Sequence, residues 1–321
     1  MAMPGLGINA FAGWAPETTW GTAVSRTKWA ELVSETMQLR SSPTFAQSFR
    51  GLSKRRVFEG KRFCEGDISL ELHYAGFEQL LKQVYDTAAP TTGPTATSVY
   101  THTFIPALVL LPGISLEIKR DLQSFLYEGA KIHQAKFSME ADKILMSTLS
   151  IIAEDETLVT ASTPTYPAES PILFSHAIAK LDTVAFDCVA FEFTINKNLT
   201  SDRRKLGPKL VKEFCRNGQE SVTGTVTIEF EDTALYLKYF NRTDVKLNLV
   251  LTGLTNIPSS SPGTPESLDF EFPRCIITGQ TPNISGPGPV QVQMQFEAMY
   301  NITGSAELCK ATLVNGTTSI T

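Results

Sequence analysis

Histidine is the first residue type to weigh for chemistry in this 321-residue chain, which has His73, His102, His133 and His176. A metal site needs ligands at short, defined spacing, as in H-E-x-x-H or C-x-x-C, and neither pattern occurs. The four read as strand histidines, hydrogen-bonded or facing solvent. Five scattered cysteines read as free thiols of a reducing compartment rather than a disulfide framework. No G-x-S-x-G elbow is present to present a serine nucleophile. GLG at 5–7 and GPGP at 286–289 do not follow a strand and open a helix, so neither is a phosphate loop. Glu229 and Glu231 share one strand face, as an acid/base dyad would, but an exposed polar face explains them more simply. Nothing here predicts an enzyme, a metal or another cofactor.

Charge is more informative. The chain holds 28 basic and 33 acidic residues, a net of −5, which argues against a general nucleic-acid coat. Two sixteen-residue stretches depart from this balance: QSFRGLSKRRVFEGKR at 47–62 and SDRRKLGPKLVKEFCR at 201–216. The first contributes Arg50, Lys54, Arg55, Arg56, Lys61 and Arg62; the second Arg203, Arg204, Lys205, Lys209, Lys212 and Arg216. They contain only three acids, Glu59, Asp202 and Glu213. The remaining 16 basic and 30 acidic residues give a net of −14. Such loops are either solvated surface or a means of docking on an acidic face, including that of another copy.

The elements that position these stretches occur twice. VSETMQLR (33–40) alternates, with Val33, Met37 and Leu39 on one face; VAFEFTIN (189–196) alternates likewise, 156 residues later. Each is followed by a basic stretch and then a glycine-led strand, GDISLEL at 66–72 and GTVTIEF at 224–230, an offset of 158. A short amphipathic helix comes next: Phe77, Leu80, Leu81, Val84 and Tyr85 in the first case, and Leu235, Tyr236, Tyr239 and Phe240, with Asp232 as N-cap, in the second. Further strands close each half. DETLVTASTPTYPAES (155–170) reads as a linker. The expectation is a mainly β chain of two tandem domains, 1–160 and 161–321, each a β-sandwich with one flanking helix. The longest apolar run, FIPALVLLPGI, is proline-broken and too short to span a bilayer. The opening MAMPGLGINAFAGW lacks the basic start and apolar core of a secretory signal.

The phrase PETTWGTAV (16–24) resembles the E-x-x-x-G-T signature of bacteriophage tail tube and major tail proteins, with Glu17, Gly21 and Thr22 matching. The order of the later elements is also similar to that family over 10–155, and over 185–300 as a diverged second copy without the phrase. The resemblance implies rings of six-fold or pseudo-six-fold symmetry whose sheets join into an inner β-barrel, stacked into a hollow tube that carries DNA. It implies a virion tail component, assembled in the host cytoplasm, with the tape-measure, tail terminator and distal tail proteins as partners. The long loops, 47–65 and 199–223, are implied to touch neighbouring subunits and rings. Two-domain subunits need only three chains per ring.

A conduit for DNA should not hold phosphate. The polar faces of the candidate barrel strands fit: Asp67, Glu71, Glu229, Glu231, Gln291, Gln293, Gln295 and Glu297, none of them basic. Other readings remain. One is the inner tube of a contractile tail or type VI-like injection system, usually a shorter chain. Another is a tandem β-sandwich binding module, which should expose aromatic residues. Trp14, Trp20 and Trp29 all lie in the first 30 residues, which suits an arm packed on a neighbour better than a sugar platform.

Overall fold

The stretch QVQMQFEA, Gln291–Ala298, alternates exposed and buried side chains without a break, and several other strands alternate in the same way. The computed structural model describes residues 5–46, 53–54, 56–204, 206–231, 233–279, 281–282, 284, 286–301, 307–318 and 320. It is mainly β, arranged as a β-sandwich.

In the first half, β1 (Phe11–Pro16) pairs with β2 (Lys28–Ala30). The segments β3 (Ser34–Glu35) and β4 (Gln38–Ser41) are two pieces of one edge. The ladder β5 (Thr44–Phe45) and β6 (Val57–Phe58) brackets the basic loop before β7 (Arg62–Glu71). Then come α1 (Glu78–Tyr85) and the hairpin β8 (Thr91–Ala96) with β9 (Val99–Phe104). Next, β10 (Ile114–Arg120) turns tightly into the long β11 (Gln123–Glu140). β12 (Met146–Ala153) and β13 (Asp155–Val159) both pair back onto β11. The expected linker therefore begins as a strand. Along the edge, Met37 is buried, but Val33 and Leu39 are 55% and 37% exposed. The alternation weakens there because, among the described residues, no strand lies beyond the edge to close over them.

The second half starts with β14 (Ala177–Leu181) and β15 (Val184–Phe186), then β16 (Ala190–Asn196). A second two-pair ladder, β17 (Leu199–Thr200) with β18 (Cys215–Arg216), brackets the second basic loop. After it come β19 (Ser221–Glu229), α2 (Ala234–Phe240), β20 (Val245–Asn256), β21 (Pro265–Ile277), β22 (Gln291–Ala298) and β23 (Lys310–Asn315). Asp232, the expected N-cap of α2, and the side chain of Leu235 lie outside the described residues. β23 pairs with β21 on one side and with β9 of the first half on the other.

One sheet runs through both halves in the order β4–β7–β12–β11–β16–β19–β22–β21, each neighbour antiparallel. The halves meet where Gln134–Glu140 of β11 pairs with Ala190–Asn196 of β16. The registers correspond. Gln38 lies opposite Glu65 and Thr194 opposite Thr223; Ser34 lies opposite Ser69 and Ala190 opposite Thr227. Offsets of 156 and 158 convert each first-half pair into its second-half counterpart. Behind this sheet, Phe137 of the first half packs at 5.0 Å from Phe193 and 5.1 Å from Phe270 of the second, ring centroid to ring centroid. A single core cluster extends from Ala12 to Leu313. Aromatic contacts of this kind add roughly 0.5–1.5 kcal/mol each beyond their buried area.

The leading glycines of the two similar strands have a shared physical reason. A Cβ on Gly66 would lie 2.5 Å from Met37 Cα and 2.6 Å from Met37 N. A Cβ on Gly224 would lie 2.5 Å from the Glu192 carbonyl and against Phe296 Cζ. Both positions press on the backbone of the preceding strand, and backbone cannot move aside as a flexible side chain can. Gly66→Ala and Gly224→Ala should each lower the unfolding free energy by about 1–3 kcal/mol, as overpacked cores do. Urea titration followed by tryptophan fluorescence would measure this, and unchanged midpoints would refute the close-contact account.

Candidate assembly surfaces

The solvent face of the eight-stranded sheet is built from unbroken cross-strand rows. One runs Ser69, Thr148, Lys136, Thr194, Thr223, Glu297 across six strands and both halves. The next runs Glu71, Met146, Ser138, Glu192, Thr225, Gln295. Asp67, Ser150, Gln134, Asn196 and Ser221 form a third. Because side chains alternate, every member of a row shares the face opposite the phenylalanine core. Asp67, Glu71, Glu229, Gln291, Gln293, Gln295 and Glu297 are all exposed there, and exposed Glu231 follows β19. The sequence reading missed several members of this face. Lys136 pairs with Glu192 at 2.8 Å, and Arg40 with Glu65 at 2.8 Å, so both basic residues sit beside a carboxylate. Only the pairing register places these pairs side by side; no local pattern in the sequence does.

The two basic loops lie against each other. Lys61 reaches Asp202 at 3.2 Å, Lys209 pairs with Glu59, and Arg62 N–H donates to the Lys209 carbonyl. These cross-loop partners hold both Glu59 and Asp202 below the ordinary carboxylate range, the hydrogen bonds from Lys209 and Lys61 acting most strongly. Arg204 also pairs with Asp202, at 3.0 Å, and Arg62 with Asp155 at 2.6 Å. Arg203 donates to the Glu213 carbonyl, and Lys54 sits over the Phe45 ring. Arg216 pairs with Glu220 and lies 3.6 Å from Asp86. Part of the positive charge is thus neutralised within the chain, leaving Lys54, Arg56, Arg203 and Lys212 without a carboxylate partner among the described residues. Arg50, Arg55 and Lys205 lie outside the described residues.

The second loop is anchored on the first half by a small apolar cluster. Leu199, Val211 and Phe214 bury with Ile152, and Trp20, Phe63 and Leu110 pack against them. Phe214 meets Trp20 edge-on at 5.7 Å, and Lys131 pairs with Glu213 at 2.9 Å. Trp20 therefore packs on the second half of its own chain, and Trp14 is buried in the core. A buried ionic contact adds to this junction. Asp86 ends α1 in the left-handed region, and Lys197 of the second half pairs with it at 3.0 Å while donating to the Gln83 carbonyl at 2.7 Å. Burial lowers the Lys197 ammonium pKa, and the Asp86 charge opposes that shift.

The E-x-x-x-G-T phrase proves to be a fastening. Glu17 is 4% exposed, and its carboxylate accepts from Ser115 Oγ at 2.9 Å, Gly129 N–H at 2.9 Å and Gly21 N–H at 2.8 Å. Gly21 adopts φ +72°, where an L side chain is strained. Burial raises the Glu17 pKa, and the three hydrogen bonds counter it. The motif ties the N-terminal arm to β10 and β11.

The histidines have ordinary hydrogen-bond roles. His102 contacts Thr91 and Asn315, His176 contacts Tyr74, and His73 and His133 accept from the Ser170 and Leu199 backbone N–H groups. Among the described residues, no group of three or more His, Cys, Asp or Glu side chains is placed to hold a metal ion.

No curated protein matches the chain. The family model described as phage tail tube protein matches residues 7–298, nearly the whole length. With a continuous β-sheet, a polar sheet face and the long loops in place, the chain belongs to the phage tail tube protein family, structural components of the phage tail that self-assemble into a tube.

Proposed function

We propose that this chain forms trimeric rings with pseudo-six-fold symmetry, stacked into the tail tube of a long-tailed phage, and that DNA is ejected through their lumen. The observation that carries the reading is the join between β11 and β16. It fuses two four-stranded units, β4–β7–β12–β11 and β16–β19–β22–β21, edge to edge within one chain. Among the described residues the same arrangement leaves the outer edge of β4 unpaired, and by the 156-residue offset β4 is the counterpart of β16, the strand that takes the join. A head-to-tail contact that repeats this join between chains closes if its rotation closes. It also removes an open sheet edge, which otherwise invites uncontrolled pairing.

Three chains then supply six similar units. The acidic and amide-rich sheet face lines the lumen, and the loops meet neighbouring subunits and rings. Tape-measure, terminator and distal tail proteins would meet the tube inside and at its ends. Native mass spectrometry of assembled rings tests the stoichiometry. The expected mass is that of three 35.2 kDa chains. Six full-length chains per ring, or an open dimer without rings, would overturn the proposal.

A further inference from the structure

At the end of β7 opposite its basic loop lies a groove of about 510 Å³. Trp14, Trp29 and Tyr166 contribute its aromatic wall, and Glu31, Glu71 and Glu169 its charge. Among the described residues, no lysine or arginine lines it. The three glutamates are exposed, and none has an ion pair or side-chain hydrogen bond among the described residues. All three act electrostatically on His73, which places their charges around one point. Trp14 is 1% exposed, and its indole Nε1 has no hydrogen-bond partner among the described residues. Uncompensated carboxylates gathered on an aromatic wall favour a cationic partner, through both charge and cation–π attraction.

The fold places that partner at the opposite rim of the same molecule. β7, β12, β11, β16 and β19 are joined by four antiparallel steps, so β7 and β19 run in the same direction. Both begin at a basic loop, and the loops touch through Lys61 and Asp202. Both end in carboxylates, Glu71 and Glu229. The ten residues of β7 separate the rims by roughly 33 Å. One rim carries Lys54, Arg56 and Lys212, which have no carboxylate partner among the described residues. The other carries the groove.

We infer that the groove receives the basic-loop rim of a second copy stacked head-to-tail, so that Glu31, Glu71 and Glu169 set ring-on-ring contact. This rests on the ring-and-tube reading above and names the surface used for stacking. Lys54 and Arg56 supply the cations, and the tryptophans exclude water around them.

The test separates rings from tubes. Full-length Glu31→Gln/Glu71→Gln/Glu169→Gln protein should close rings of wild-type mass, while the fraction pelleting as tubes falls roughly tenfold. Lys54→Glu/Arg56→Glu should produce the same defect. Combining Lys54→Glu/Arg56→Glu with Glu31→Lys/Glu169→Lys should recover tubes, as a direct pair requires. Wild-type stacking by the triple amide variant, with an unchanged salt dependence, would overturn the inference and leave the ring reading standing. A wild-type chain that forms no rings would instead remove the reading on which it rests.

Discussion

Leu39→Pro yields folded chains that no longer close into rings. Thr36 N–H donates to the Asp67 carbonyl and Ser42 N–H to the Lys61 carbonyl, so the even-numbered N–H groups between them face β7. The N–H groups of Leu39 and Ser41 therefore point away, toward the open side. At the internal join, Lys197 N–H donates to the His133 carbonyl, and by the same alternation Ile195 N–H faces Ala135 across the pair. Leu39 is the counterpart of Ile195 at the 156-residue offset. Proline at 39 removes the donor that a neighbouring chain would use and puts a ring in its path, while leaving the β7 ladder intact. Within the single chain the substitution sits on an edge, and unfolding free energy should change by less than about 1 kcal/mol. Ile195→Pro is the contrast: the same change at a central, fully buried strand position should prevent folding. Sedimentation velocity would show Leu39→Pro chains as monomers. Ring-sized particles from that variant would refute closure through the β4 edge.

The features that support this prediction differ in how visible they are in sequence. The recurrent order of strand, basic loop, glycine-led strand and helix was legible because period-two burial and close-packed glycines leave local marks. Gly66 and Gly224 are present because a neighbouring backbone touches them, and a residue type records that contact directly. The join between β11 and β16 left no such mark. Hydrogen bonds between strand edges are made by backbone, which is the same in every residue, so the partner of an edge is set by geometry rather than by side-chain type. The loops were visible as charge but not as a pair. Lys61–Asp202 and Lys209–Glu59 span 141 and 150 residues and depend on both ladders lying at one rim. DETLV at 155–159 was hidden in a Thr- and Pro-rich stretch, although its pairing with β11 makes it a strand. The E-x-x-x-G-T phrase was visible as a pattern but silent about its cause, since two of the groups that Glu17 binds, Ser115 and Gly129, lie about a hundred residues away.

Introducing lysine in the middle of the polar sheet face should leave rings and tubes intact and arrest DNA in passage. Asp67, Gln293 and Glu297 suit this best, because they lie on the exposed face away from the groove and from the basic loops. Their neighbours in the rows are small or neutral: Asp67 faces Ser150, Gln293 faces Thr227, and Glu297 faces Thr223. A lysine there has room to extend, and exposed substitutions of this kind change stability by about 0.5 kcal/mol or less. The effect on DNA is large because it repeats in every ring. Each added cation condenses on phosphate and releases a counterion, so binding scales steeply with the number of contacts and weakens as salt rises. On the wild-type face the strand cations Lys136 and Arg40 sit beside carboxylates, Glu192 and Glu65, and so offer phosphate little purchase. Phage particles built with Asp67→Lys/Gln293→Lys/Glu297→Lys should carry tails of normal length by microscopy and eject DNA at least roughly tenfold more slowly at low salt, recovering as salt is raised. Fluorescent-dye release from triggered particles would follow this in time. Wild-type ejection at every salt concentration would place this face away from the DNA path, even if the tubes themselves form as proposed.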